Sequence, residues 1–315
     1  DRTPKPALYE VKKVHQFITF ESKNILSGTV KISNEYDFTN LKDFIFKWEV
    51  LANGNKIESG VLNELNVTPG SFQKVNIPFQ INNKNKEYVV TISAFTKTDK
   101  NLVPANHEVA WEQFTFGQQQ AVPSLKSSNE VGIVNSDKTI ELSSTQCNII
   151  FDKSSGIMTL LTYNDGLNII RDAKGFTPNF WRAPIDNDFG NDFHKRCKAW
   201  RFATKNRQLV SIDSKKNGTN AEVKVVYNLK KENGDLMGVF ESKYTVSGDG
   251  QIRVDNALTT TGSDLSEIPR VGVNNQLNAS FDEVSWYGRG TIESYWDRKA
   301  GAKLGTYNGP VSDQY

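Results

Sequence analysis

F-I-F-K-W-E-V-L-A-N-G, residues 44–54, is the stretch whose reading decides the fold. Phe44, Phe46, Trp48 and Val50 alternate with Ile45, Lys47 and Glu49. One side is strongly apolar and the other mostly polar, the period-2 mark of a strand with one face in a core. Asn53-Gly54 closes it, a pair that accepts the positive φ of a tight hairpin turn. A partner strand over 56–62 follows. Before it, Pro4 and Pro6 hold the entry extended, and 11–20 and 27–36 read as strands. Val30 and Ile32 lie on one face of the second, Thr29, Lys31 and Ser33 on the other. After it, Val75, Ile77 and Phe79 alternate, with Pro78 pushing that strand toward a sheet edge. Strands at 88–95 and 109–116 bring the total to seven within the first 116 residues. Seven short strands without a convincing helix predict an immunoglobulin-like or fibronectin-like β-sandwich.

Gln118-Gln119-Gln120 and Pro123 mark an interdomain linker. The expected organisation is a sandwich over 1–118, a linker over 119–128 and a second domain over 129–315. There, strands are predicted at 139–142, 147–151, 157–163, 209–212, 221–229, 237–246 and 251–259. Turns at Asn217-Gly218, Asn233-Gly234-Asp235 and Gly248-Asp249-Gly250 join the later ones into long antiparallel hairpins of a large sheet packed on one side. Phe193, Cys197 and Trp200 fall at i, i+4 and i+7, predicting the chain's one substantial helix near 191–203. The fold class is all-β.

Composition narrows the function. The 315 residues suffice for two cores, and 37% hydrophobic with 23% charged content is that of a globular protein. With 38 basic against 36 acidic side chains and no basic stripe interleaved with aromatics, a nucleic-acid surface is excluded. No apolar run reaches membrane-spanning length. Cys147 and Cys197 form one disulfide or remain two buried thiols. No Cys/His ligand spacing suggests a metal, and His15, His107 and His194 are far apart. Asn66, Asn217 and Asn278 begin glycosylation triplets, a pattern common by chance.

One stretch carries denser chemistry. F-W-R-A-P-I-D-N-D-F-G, residues 180–190, sets two large aromatics, an arginine, a proline and three Asp/Asn side chains on what Pro184 and Gly190 make an irregular connection. As scaffold, Arg182 pairs with Asp186 or Asp188 and Phe180 and Trp181 pack beneath. As a site, or part of one, the stretch offers recognition chemistry to a ligand. S-W-Y-G-R-G (285–290) leading into E-S-Y-W-D-R (293–298) is a second aromatic and glycine cluster, with Trp286, Tyr287, Gly288, Gly290, Trp296, Asp297 and Arg298. Aromatics there stack on sugar rings or pack as scaffold. Glu293 and Asp297 stand four apart, and nothing visible tunes either as a general acid.

These motifs together resemble one family. F-W-R-A-P-I-D-N-D-F-G is similar to the signature of the C-terminal small-chain domain of the β-galactosidases of glycoside hydrolase family 2. W-Y-G-R-G with E-S-Y-W-D-R resembles a second signature, and P-V-S-D-Q-Y, ending at 315, a third. D-R-T-P-K-P-A-L-Y-E-V-K-K-V, from residue 1, resembles the exit from the catalytic barrel. S-N-E-Y-D-F-T-N-L (33–41) and the W-E-V-L-A-N-G hairpin resemble the immunoglobulin-like domain that follows it. The resemblance spans the chain in the family's order. It implies a sandwich followed by a galactose-mutarotase-like supersandwich sheet, cut short here. It also implies retaining hydrolysis of β-galactosides by two glutamates, whose carboxyl groups stand about 5–5.5 Å apart in such enzymes, on a barrel this chain does not carry. No catalytic residue and no cofactor is expected within the chain; magnesium is implied for the absent barrel only. Asp186, Asn187, Asp188 and Gly190 are then candidates for a pocket rim, with Gly190 as a flexible point. Phe180, Trp181, Arg182, Pro184, Trp286, Gly288, Gly290, Asp297 and Arg298 are structural motif. The implied partners are the barrel, a β-galactoside through the full enzyme, and a second subunit in a homo-oligomer. The compartment, cytoplasm or periplasm of a bacterium, stays open. A free-standing carbohydrate-binding or adhesion sandwich is the alternative expectation.

Overall fold

A computed structural model describes residues 3–314 apart from 82, 84, 101, 119–123, 165, 263 and 297. The chain opens with α1 (Pro6–Val14), followed by β1 (Ile18–Glu21), β2 (Thr29–Asn34), β3 (Phe44–Ala52), β4 (Asn55–Val61), β5 (Phe72–Asn76), β6 (Glu87–Thr96) and β7 (Glu108–Gly117). Strands β1-β2-β5 make one antiparallel sheet and β4-β3-β6-β7 another. Phe46, Trp48 and Val50 are buried with Val30, Ile32, Val90 and Ile92 in the core of this sandwich. Asn53 and Gly54 both hold positive φ, 48° and 79°, as the β3–β4 hairpin requires. Pro78 lies just past β5, an edge strand.

The entry differs from the extended chain and strand expected over 11–20. Residues 6–14 form a helix because Pro6 supplies the fixed φ of a first helical position. Lys12 and Lys13 stand in its last turn, where the helix dipole favours cations.

The following segment contains β8 (Gly132–Asn135), β9 (Thr139–Ser143), β10 (Cys147–Asp152), β11 (Ile157–Tyr163), β12 (Thr177–Asn179), α2 (Asp186–Gly190), α3 (Phe193–Arg196), α4 (Lys198–Lys205), β13 (Gln208–Asn217), β14 (Asn220–Lys230), β15 (Leu236–Val246), β16 (Ile252–Thr260) and β17 (Gly272–Asn274). The meander β11-β10-β9-β8 and the sheet β13-β14-β15-β16 share one core; β12 pairs with β17. Phe151 meets Tyr244 edge-on across that core at 5.0 Å. Cys147 and Cys197 are both free and buried. The helix expected near 191–203 is two pieces, α3 and α4, divided at Cys197, whose ψ of 5° departs from helical geometry. With α1 and α2 the described residues hold four short α-helices. Strand makes up 47% and helix 12%, and the protein is all-β.

The chain ends in the hairpin β18 (Glu283–Gly290) and β19 (Lys303–Pro310). This hairpin joins the first sandwich. The compact units are Asp1–Pro123 with Asp282–Tyr315, and Ser124–Phe281. Gln113 on β7 donates Nε2–H to Leu304 O (2.9 Å) and accepts Leu304 N–H at Oε1 (2.7 Å). Its amide thus satisfies one residue's donor and acceptor as a neighbouring strand would. Thr306 donates its hydroxyl to Gly54 O at 2.7 Å, and Tyr287 donates to Glu87 at 3.0 Å. Val89, Thr91 and Ser93 face away from the sandwich core on β6, yet all are buried. That central strand is therefore covered on both faces.

Candidate functional site

The 180–190 stretch turns a corner in the second unit. Phe180 is fully buried, tilted against Trp200 (5.8 Å) and edge-on to Phe240 (5.7 Å). Its backbone N–H donates to Thr204 on α4 at 2.9 Å. Trp181 stacks on Phe193 at 5.7 Å. Asn179 is buried; it donates to Asn274 and accepts the Trp181 N–H. The aromatic end therefore lies on the core.

Pro184 is half-buried where the chain passes from this packed end into α2. Arg182 then reaches forward to Asp188 in a two-pronged pair, Nη1 to Oδ2 at 2.5 Å and Nη2 to Oδ1 at 2.9 Å. The same guanidinium lies 4.5 Å from the Phe193 ring centre. Oδ2 of Asp188 also accepts the Ile185 N–H at 2.8 Å, so a carboxylate satisfies an orphan donor at the start of α2. The Arg182 hydrogen bond first, and the Ile185 N–H second, hold the Asp188 carboxyl below its ordinary pKa. Fork-to-fork geometry of this kind fixes orientation as well as charge. This local bonding winds 186–190 into a helical turn in place of the irregular connection expected.

The other end of the turn is also held. Arg196 donates to Asn191 O at 2.6 Å and to Glu267 through Nε and Nη2. That clamp joins residues 71 apart, and no sequence spacing signals it. Between the two arginines, Asp186, Asn187 and Gly190 are exposed while Asp188 is buried. Outward lie a carboxylate acceptor and an amide that both donates and accepts, chemistry suited to hydroxyl groups. Gly190 has no heavy atom within 4 Å of where a Cβ would stand.

The second cluster belongs to the first unit. Trp286 packs on Tyr307 at 5.5 Å and donates Nε1–H to Arg289 O at 3.2 Å. Arg289 in turn donates to the carbonyls of Lys299 and Ala302. A Cβ on Gly290 would stand 2.8 Å from the Tyr307 ring, whereas at Gly288 it meets only an ordinary contact. Arg298 lies over Tyr295 and 3.4 Å from Glu293. Trp296 is 90% exposed beneath Lys299. Asp297 lies outside the described residues. Burial, with Glu87 second, pushes the Tyr287 hydroxyl up to about 12.

Among the described residues no three or more His, Cys, Asp or Glu side chains gather to hold a metal ion. Among the described residues no helix is long and apolar enough to cross a membrane.

Comparison with known proteins places this all-β chain. The β-galactosidase small-chain model matches residues 143–315, and the β-galactosidase domain 4 model matches 30–117. The chain belongs to the β-galactosidase small-chain family. It is 33% identical over 318 residues to a β-galactosidase of Priestia megaterium, covering 100% of this chain and 30% of that protein. A β-galactosidase of Clostridium acetobutylicum is 30% identical over 307 residues, covering 98% and 33%. One from Lactobacillus delbrueckii subsp. bulgaricus is 27% identical, covering 100% and 30%. The chain spans about a third of the length of the curated relatives it matches.

Proposed function

We propose that the chain is the non-catalytic C-terminal region of a β-galactosidase that removes terminal non-reducing β-D-galactose by retaining hydrolysis. The observation that carries this reading is the family match running through both units while accounting for only a third of each relative. In that role Phe180, Trp181, Arg182 and Asp188 brace the corner. Asp186, Asn187 and Gly190 form the rim that meets the galactoside, the carboxylate accepting from sugar hydroxyls and the amide donating or accepting. The nucleophile and the general acid belong to the catalytic barrel of the longer protein, with magnesium held there too. The Trp286–Tyr307 packing is hairpin scaffold.

The test is hydrolysis of a chromogenic β-galactoside by the 315-residue chain and by the longer protein. Turnover is expected from the longer protein alone. Turnover by the chain, abolished by substitution of a carboxylate within it, overturns the reading.

A further inference from the structure

Between the outer face of the β4-β3-β6-β7 sheet and strand β19 lies a cleft of about 630 Å³, within the size range of small-molecule sites. Its described lining belongs wholly to the first compact unit. The floor is a ladder of outward-facing side chains. Lys47 on β3 stands opposite Ser93 on β6, and Glu49 stands opposite Thr91 on the next rung of that face. Side chains paired in this way have their Cβ atoms about 4.5–5.5 Å apart.

The polar groups around this floor are mostly satisfied. Glu49 pairs with Lys56 at 2.9 Å, and Glu108 pairs with Lys303 at 2.5 Å. Thr91 accepts the Gln113 amide at 3.0 Å, and Tyr307 donates to Lys303 O at 2.8 Å. The Lys47–Ser93 rung is different. Ser93 is only 7% exposed and lines the cleft, and among the described residues its hydroxyl has no hydrogen-bond partner. A buried hydroxyl left this way costs stability. Lys47 has no carboxylate partner among the described residues either; its ammonium rests 4.6 Å from the Phe95 ring centre. Three lysines against two glutamates on the described lining leave one positive charge, and it falls at Lys47.

We propose that this rung binds the anionic group, phosphate or carboxylate, of a monosaccharide-sized molecule. Lys47 supplies the charge, and Ser93 donates its hydroxyl to the same group, the stronger kind of hydrogen bond. Leu304 and Tyr307 on β19 line the cleft and give the body of the ligand an apolar surface, while the Glu49 carboxylate can accept from its hydroxyls. The proposal does not rest on the function proposed above.

Calorimetric titration of the 315-residue chain with galactose 6-phosphate, galacturonate, galactose and inorganic phosphate tests it. These probes offer one sugar body with a phosphate, with a carboxylate and with neither, and a phosphate without the body. Saturable binding of an anionic sugar at a single site is expected, the tighter of the two identifying the group, with galactose and inorganic phosphate each roughly tenfold weaker or more. Lys47→Met should weaken the anionic sugar roughly tenfold or more and Ser93→Ala about two- to tenfold. Lys138→Met, an exposed control in the other unit, should leave it unchanged. Because the Ser93 hydroxyl has no internal partner, Ser93→Ala should melt no more than about a degree below the parent chain. No saturable binding of either anionic sugar, equal binding of galactose or of inorganic phosphate, or indifference to Lys47→Met overturns the proposal. So does a fall of several degrees in Ser93→Ala, which would give the hydroxyl a structural bond, or binding that disappears when the titration is repeated with the longer protein.

Discussion

Replacing Gly190 by Ala distinguishes a moving rim from a fixed corner. The added Cβ enters open space, and Gly190 closes α2 in helical geometry without positive φ, so no strain follows. Alanine is favoured over glycine inside a helix by about 0.8–1 kcal/mol, and by less in a terminal turn. The isolated chain should therefore gain up to about 1 kcal/mol, a rise in midpoint of at most about 2–4 °C for a unit of this size. If α2 must rearrange as the longer protein takes its galactoside, the same energy shifts that equilibrium by up to about fivefold toward the wound form. Steady-state hydrolysis by the longer protein should then show kcat and KM moving by factors within that range, while calorimetry of the chain shows equal or slightly higher stability. A fall of several degrees with unchanged kinetics would refute the reasoning, because it would mean that Gly190 is needed for packing and not for motion.

Two further outcomes follow from the same corner. Phe180→Ala removes a fully buried ring packed on Trp200 and Phe240 and should cost about 3–5 kcal/mol in urea unfolding of the chain; a loss below about 1 kcal/mol would contradict the bracing role. Asp188, its pKa lowered from 3.8 by Arg182 and the Ile185 N–H, contributes stability that is present above its unfolded value and lost as pH falls through its folded one. The stability gap between the parent chain and Asp188→Asn should stay constant from neutral pH to about 4 and close below it, measured as denaturant midpoints across that range.

The sandwich was legible because its strands alternate over a single core. Phe46, Trp48 and Val50 point inward as the pattern requires, and Asn53-Gly54 can do little but turn. The long hairpins of β13 to β16 were equally plain from their glycine turns. Helix α1 escaped because Pro4 and Pro6 read as extended chain, although Pro6 also suits a first helical position and Leu8, Val11 and Val14 are spaced for one helical stripe. The hairpin β18–β19 was missed because Gly288, Gly290, Gly305 and Gly309 dilute its alternation. Its attachment through Gln113 depends on a side-chain amide that no strand pattern encodes. At the corner, the Arg182–Asp188 pair was one of two pairings the spacing allowed, and backbone geometry at Ile185 selects it. The Arg196–Glu267 clamp joins distant segments and left no trace in the linear pattern.

The bond between Gln113 and Leu304 spans 191 residues, which has a consequence for synthesis. The second unit is encoded inside the first, so the outer face of β6 and β7 has no hairpin to cover it until the chain has lengthened past Leu304. At translation rates of about 5–20 residues per second, that interval lasts about 10–40 s. Through it Val89, Thr91 and Ser93 would lie open on the nascent sandwich, while residues 124–281 emerge as one continuous segment able to fold in order. A hairpin made after the whole second unit is the one that covers this face of the first domain.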